Sequence, residues 1–104
     1  MIVQINTDNN LTIEQRSIDF FTTQISEALD RFESNITRVE VHLKDENGAK
    51  DGINDISCTM EARLEGKSPI AISNQANTVE LAMSGAISKT KSAIDTIVSK
   101  SQKY

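Results

Sequence analysis

Residues 55–65 read Asp-Ile-Ser-Cys-Thr-Met-Glu-Ala-Arg-Leu-Glu and alternate between polar and apolar side chains. The apolar positions share one parity and are Ile56, Cys58, Met60, Ala62 and Leu64. A period of two places such side chains on one face of a β-strand, whereas a helix would scatter them around its axis. The stretch therefore predicts a strand with one buried and one solvated face.

Three other segments show the same alternation over shorter lengths. Their apolar positions are Val3 and Ile5 in residues 2–7, Val39, Val41 and Leu43 in residues 38–44, and Ile70 and Ile72 in residues 69–73. Pro69 lacks an amide proton, which suits the start of a strand or the edge of a sheet. Residues 45–52 contain an Asn-Gly step and predict a solvated loop between the second and third strands. Four strands are thus expected.

A first amphipathic helix is predicted between the first two strands. Its apolar side chains recur at spacings of three and four residues from Ile18 to Phe32. Residues 12–15 have the pattern of a capping box, which predicts that the helix begins at Thr12. Phe20 falls beside the apolar stripe and is predicted at the rim of the core, with a contact residue as the less favoured alternative.

A second helix is predicted after the fourth strand. Asn77 can cap it, and the apolar stripe runs from Val79 to Val98. Gly85 lies within this stripe and costs roughly 1 kcal/mol of helix stability relative to alanine. We therefore expect Gly85 to pack closely against another element.

The order of elements is β-α-β-β-β-α. Because each strand has only one apolar face, the economical arrangement is a two-layer α+β fold: a four-stranded mixed sheet with two helices packed on one face. A length of 104 residues is that of one domain, so residues 1–104 are expected to form a single unit. No stretch has the roughly 20 apolar residues that cross a bilayer, and no signal peptide is visible. A cytoplasmic protein without a membrane partner is expected.

The residues that carry enzyme chemistry are scarce. His42 is the single histidine and Cys58 the single cysteine, and their parities place them on opposite faces of the sheet. They therefore predict neither a Cys-His nucleophile pair nor a zinc site. The loop at 45–52 does not fit a calcium-binding loop, since Lys50 and Ile56 stand where glycine and glutamate are needed. We expect no enzyme activity, metal, cofactor or small-molecule substrate.

Charge is distributed unevenly along the chain. The net charge is −4, which argues against indiscriminate binding to nucleic acid. Residues 81–104 are the exception, because they hold four lysines (Lys89, Lys91, Lys100 and Lys103) and one acidic residue, Asp95. Lys89 and Lys100 are eleven residues apart and therefore lie near one face of a helix. They predict a small phosphate-contacting edge, against the alternative of a solvated helix end whose lysines complement the helix dipole.

Several strings resemble the ribosome hibernation promoting factor family, whose members are also called ribosome-associated inhibitors. They are the helix that ends in Arg31-Phe32, the strand at residues 35–43, residues 58–66 with 69–71, and the last helix with Ala82, Ile87 and Lys89. The resemblance covers nearly the whole chain and is to a short, acidic form. It implies the same two-layer fold and binding to the decoding region of the small ribosomal subunit, with inhibition of translation in resting or stressed cells.

The resemblance also implies which residues contact RNA. Family members use basic residues on both helices against rRNA phosphates, and the positions that match or supplement this pattern are Lys89, Lys100, Arg31, Lys91 and Lys103. Other positions depart from the pattern: Gln24, Glu27, Ser92, Thr96 and Val98 stand where lysine or arginine is expected. The acidic first helix supports an alternative, in which the chain has kept the fold but binds a protein partner instead of rRNA.

Overall fold

The computed structural model describes residues 1–8, 11–46 and 55–101. The elements follow in the order β1 (Ile2–Thr7), α1 (Gln15–Ala28), a 3-10 helix (Asp30–Asn35), β2 (Ile36–Asp45), β3 (Ile56–Leu64), β4 (Ile70–Ala76) and α2 (Val79–Ser101). The predicted order of four strands and two helices is therefore confirmed. Most of the predicted loop at 45–52 lies outside the described residues.

The four strands form one mixed sheet in the order β1-β2-β3-β4. β1 pairs with β2 in parallel, and β3 is antiparallel to both of its neighbours. Met60, at the middle of β3, lies between Val41 of β2 and Ile72 of β4. The alternating stretch that predicted a strand thus forms one of the two central strands.

The hydrophobic core lies between one face of the sheet and the two helices. The apolar positions of β3 are all buried, as are Val39, Val41 and Leu43 of β2. On the helices, the largest fully buried side chains include Ile25, Met83 and Ile94. α1 packs on β1, and α2 packs on β3 and β4. The predicted two-layer α+β architecture is confirmed, and the opposite face of the sheet is left to polar side chains.

The first helix begins and ends at other residues than predicted. α1 starts at Gln15, after Glu14, and the Gln15 side chain donates to Asp19 instead of reaching back to Thr12 (Nε2 to Oδ1, 2.9 Å). The predicted capping box is therefore wrong. The α-helix ends at Ala28, and the 3-10 helix follows after Leu29. There the Phe32 amide donates to the carbonyl of Leu29 at 2.9 Å. This tighter turn keeps Leu29 and Phe32 both buried.

The junction between β4 and α2 also differs from the prediction. β4 extends to Ala76 because Asn74, a polar residue, lies on the inner face and donates to the carbonyl oxygen of Ala82 at 3.1 Å. The cap of α2 is Thr78 and not Asn77, since the Leu81 amide donates to the Thr78 hydroxyl at 3.1 Å. One side-chain hydrogen bond from β4 to α2 and a cap one residue later than predicted thus define this junction.

Gly85 lies against Asn74, which confirms the expected close packing. A Cβ atom added to Gly85 would lie 2.1 Å from Nδ2 and 2.7 Å from Cγ of Asn74. The Asn74 Cγ atom is bonded directly to Cβ, so it can move away from a methyl group at position 85 only if the side chain rotates about χ1. That rotation would break the hydrogen bond from Asn74 to the carbonyl oxygen of Ala82. Glycine at this position lets the helix approach the edge strand.

We expect Gly85→Ala to lower the free energy of unfolding by about 1 kcal/mol, because steric crowding of roughly 1–3 kcal/mol outweighs the gain in helix propensity. In the Asn74→Ala background the same change is expected to raise stability, since the crowding is gone. Urea unfolding of the four proteins in this double-mutant cycle measures the effect. A Gly85→Ala effect of the same sign and size in both backgrounds would contradict the assigned contact.

Candidate nucleic-acid interface

The histidine and the cysteine lie on opposite faces of the sheet, as predicted. Cys58 is fully buried in the core, and this burial raises the pKa of its thiol to about 12. A thiol with such a pKa does not form the thiolate that nucleophilic catalysis requires. His42 is exposed on the outer face, 3.9 Å from Glu40 (Nε2 to Oε2). In the described part of the chain, no three His, Cys, Asp or Glu side chains come together as a metal site.

Ion pairs neutralise the outer face of the sheet. Glu40 lies at its centre, 2.7 Å from Nε of Arg38 and 3.7 Å from Nη2 of Arg63. The hydrogen bond from Arg38, with the charges around it, holds the pKa of the Glu40 carboxyl below its ordinary value. Arg63 also lies 3.2 Å from Glu61. The arginines on this face already have carboxylate partners, which makes it a poor surface for phosphates.

The lysine and arginine side chains fall into two groups, according to whether a carboxylate lies close to them. Within residues 1–8, 11–46 and 55–101, each arginine and Lys44 has a carboxylate oxygen within 4.0 Å. The remaining lysines of these ranges have no such ion pair and are exposed; they are Lys67, Lys89, Lys91 and Lys100. Three of the four belong to α2. The unpaired positive charge therefore lies mainly where the uneven charge of the sequence predicted it.

The lysines of α2 lie on two flanks of the helix. At 100° per residue, Lys89 lies about 40° from Gly85, and Lys100 about 20° from Lys89. Gly85 lies against Asn74 of β4, so both lysines lie on the flank next to the edge strand. Lys91 lies about 40° from Asp95, which bonds to Arg31 just beyond α1, and therefore faces the other helix.

Lys67 is a candidate that the sequence analysis missed. It follows Gly66 in the turn between β3 and β4, where Gly66 has a φ of 73°. Since α2 starts beside the end of β4 and runs back along it, Lys100 and this turn lie toward the same end of the sheet. The path from Ala82 to Lys100 is about 27 Å at 1.5 Å per residue, and the path from Asn74 to Lys67 is at most about 25 Å.

Lys89 and Lys100 thus lie on one flank of α2, and Lys67 lies in the turn at the end of the sheet toward which this helix runs; we call these three residues together the lysine edge. Lys89 and Lys100 are separated by about 16 Å along the helix axis, a distance that spans several phosphates of a single strand. The signal for Lys67 in the sequence was its exposed turn. Only the pairing of β3 with β4 shows that the turn at Lys67 and the end of α2 near Lys100 lie toward the same end of the sheet.

The other predicted contact residues have different surroundings. Arg31 donates from Nη2 to Oδ1 of Asp95 at 2.8 Å, and its guanidinium carbon lies 4.8 Å from the centre of the Phe32 ring. Its charge is thus shared with a carboxylate, which the sequence analysis did not foresee. Lys91 faces the same side as this pair. Lys103 lies outside the described residues.

The outward side of α1 is acidic. A shallow depression there is lined by Thr22, Thr23, Ser26, Glu27 and Asp30. Lysine is absent from α1 and its single arginine, Arg16, is paired with Glu14 at 3.0 Å. This side repels phosphates and complements a basic partner. Phe20 is 63% exposed and projects from the core, so its predicted place at the rim is wrong.

Comparison with protein-family models gives no match, and comparison with curated proteins gives none either. Solved structures do match. The N-terminal domain of Protein Y from Thermus thermophilus has a TM-score of 0.74 and 13% identity, over 93% of this chain and 99% of that one. A ribosomal subunit interface protein from Coxiella burnetii has a TM-score of 0.75 and 10% identity, over 95% and 99% of the two chains.

These matches extend over nearly the full length of both partners and confirm the fold that the family resemblance implied. No helix in the described ranges is both long and apolar enough to cross a membrane. The chain thus has the two-layer fold of the Thermus and Coxiella proteins, and the lysines without an ion pair among its described residues lie on α2 and in the turn between β3 and β4.

Proposed function

We propose that the chain is a non-enzymatic, cytoplasmic factor of the ribosome hibernation promoting factor family, with residues 1–104 as a single domain. In this proposal it binds rRNA phosphates of the small ribosomal subunit and inhibits translation in resting or stressed cells. One observation carries the proposal: the lysine edge lies on a fold shared, end to end, with a ribosomal subunit interface protein. The resemblance of the sequence to the same family points the same way.

The chemistry proposed for the interface is phosphate neutralisation. Lysine ammonium groups bind phosphate oxygens as point charges and release condensed counterions from the RNA. The lysine edge supplies three such groups, and Lys91, Arg31 and Lys103 are the further contact residues proposed. Base stacking has little support, because the exposed Phe20 lies on the acidic helix α1 and Phe32 is buried.

The proposed phosphate contacts make the affinity for RNA depend on the salt concentration. With about three to six phosphates neutralised, the slope of log K against log salt is roughly −2 to −4 for single-stranded RNA. The net charge of −4 repels the RNA at long range and further weakens the binding. We therefore expect weaker binding than that of family members with a full set of basic residues on both helices.

Cosedimentation with purified small ribosomal subunits at about 50 mM and about 200 mM salt tests the proposal. The expected result is association at the lower salt that declines at the higher one. Association at neither concentration would end the proposal. Large subunits, sedimented in parallel, show whether the interaction is with the small subunit or with any rRNA.

A second candidate function is a protein-interaction module that has kept the fold. The observation that favours it is the acidic outward side of α1, with Glu27 and Asp30 exposed beside hydroxyl side chains. Such a surface fits a partner with a basic segment. An affinity purification that returned ribosomes and no other protein would count against this candidate.

A further inference from the structure

We infer that Arg31 is a phosphate-binding site that Asp95 occupies in the free protein. The inference rests on the proposed function and adds to it a residue, Asp95, that weakens RNA binding by competing for the guanidinium. It concerns the flank of α2 that faces α1 and is therefore separate from the lysine edge.

Two contacts hold the Arg31 guanidinium, one on its face and one at Nη2. The Phe32 ring lies beneath it, with 4.8 Å between the guanidinium carbon and the ring centre, and Asp95 accepts one hydrogen bond from Nη2 at 2.8 Å. Phe32 itself is fully packed in the core and does not move easily. A cation held over a rigid ring has lost much of its freedom before a ligand arrives, which lowers the entropic cost of binding.

The bond to Asp95 uses only part of the binding capacity of Arg31. A guanidinium has five N–H donors in a planar fork, and the single bond between Nη2 and Oδ1 occupies one of them. The Arg31 side chain is 67% exposed, so its other donors are accessible to solvent. A phosphate can accept two parallel hydrogen bonds from the guanidinium of Arg31. It therefore replaces the Asp95 carboxylate, which accepts only one, or binds beside it.

Lys91 adds positive charge beside this site. It lies one turn before Asp95 on the same flank of α2, is exposed and has no ion pair within the described ranges. A phosphate bound to Arg31 would thus meet a second cation, while the displaced Asp95 carboxylate would remain close and repel it. Asp95→Asn removes this negative charge and keeps the shape of the side chain, and it is therefore expected to strengthen RNA binding.

The experiment measures the affinity of small ribosomal subunits for the wild-type protein and for Asp95→Asn, as a function of salt. Asp19→Asn is the matched control, because Asp19 is an exposed aspartate on α1 that bonds to Gln15 and its change alters the net charge equally. We expect Asp95→Asn to bind roughly three- to tenfold more tightly at low salt, with a salt slope steeper by about 0.7–0.9, the value for one added phosphate. Asp19→Asn is expected to change both much less.

The Arg31→Ala background decides the mechanism. There, Asp95→Asn is expected to strengthen binding no more than Asp19→Asn does, because the guanidinium that it would release is gone. An equal gain in both backgrounds would show that Asp95 acts only through its charge and would overturn the inference. Thermal unfolding checks that each variant is folded.

The wild-type measurement separates this inference from the proposed function. If the wild type binds and Asp95→Asn gains nothing over Asp19→Asn, the inference fails and the proposed function stands. If neither the wild type nor Asp95→Asn binds at low salt, both fail. Binding by Asp95→Asn alone would support a site that is occupied by Asp95 in the free protein.

Discussion

The triple change Lys67→Ala, Lys89→Ala and Lys100→Ala is expected to weaken binding to small ribosomal subunits by a factor on the order of 100 at low salt. Each lysine lacks an ion pair among the described residues, so its charge is available to a phosphate without loss of an internal contact. The three contacts together should also make the salt slope shallower by about 2, as measured by titration at several salt concentrations. Each single variant should reduce the slope by about 0.7.

The matched control removes the same number of positive charges from elsewhere. Arg16→Ala, Lys44→Ala and Arg63→Ala change cations that are exposed and already paired with carboxylates. This control is expected to reduce affinity only modestly, through net charge at long range. If the control weakens binding as much as the lysine-edge variant does, the location of the interface is contradicted.

Phe32→Ala is expected to lower the free energy of unfolding by about 3–5 kcal/mol, the typical cost of removing a large buried aromatic side chain. Phe32 is 2% exposed and lies where the 3-10 helix packs beneath α2. In a domain of this size the loss corresponds to a melting temperature lower by about 15–30 °C. Differential scanning calorimetry and urea unfolding measure it.

Phe20→Ala is the natural control, because the same atoms are removed from a side chain that is 63% exposed. It contacts Phe21 edge-on, with 5.6 Å between the ring centres, so a change of less than about 1 kcal/mol is expected. Equal losses for the two variants would contradict the positions assigned to these rings. Such a result would also undermine the site at Arg31, which depends on a rigid Phe32.

The fold could be predicted because its local patterns are long and unambiguous. The alternation through β3 fixes which side chains face the core, and a shift of one residue would expose all five of its apolar side chains. The helix stripes then leave one face of one sheet as the surface that both helices can cover. Both features depend only on the spacing of apolar residues along the chain, so they can be predicted from the sequence.

The exact ends of the elements could not be predicted, because they depend on contacts between distant segments. Asn74 lengthens β4 only because α2 offers it a carbonyl oxygen at Ala82. The Gln15 side chain is also able to bond to the backbone of Thr12 and complete a capping box, but it donates to Asp19 instead. Local hydrogen-bonding residues have several possible partners, and the tertiary structure selects among them.

The candidate site was predictable only in part. Unequal charge pointed to α2, and helical spacing placed Lys89 and Lys100 together. The bond between Arg31 and Asp95 joins residues 64 positions apart, and only the packing of the two helices brings them together. For the same reason Lys67 was missed, since its relation to Lys100 follows from the direction in which α2 returns along β4.

Lysine reactivity in the complex tests whether the lysine edge is the surface that contacts the small ribosomal subunit. The free protein and its complex with small ribosomal subunits are acetylated briefly, and the modification of each lysine is quantified by mass spectrometry. Lys44, which is exposed and pairs with Glu46 on another part of the molecule, is the internal control. We expect the subunit to protect Lys67, Lys89 and Lys100 while Lys44 reacts as before. Protection of Lys44 with continued reaction of the lysine edge would contradict this expectation.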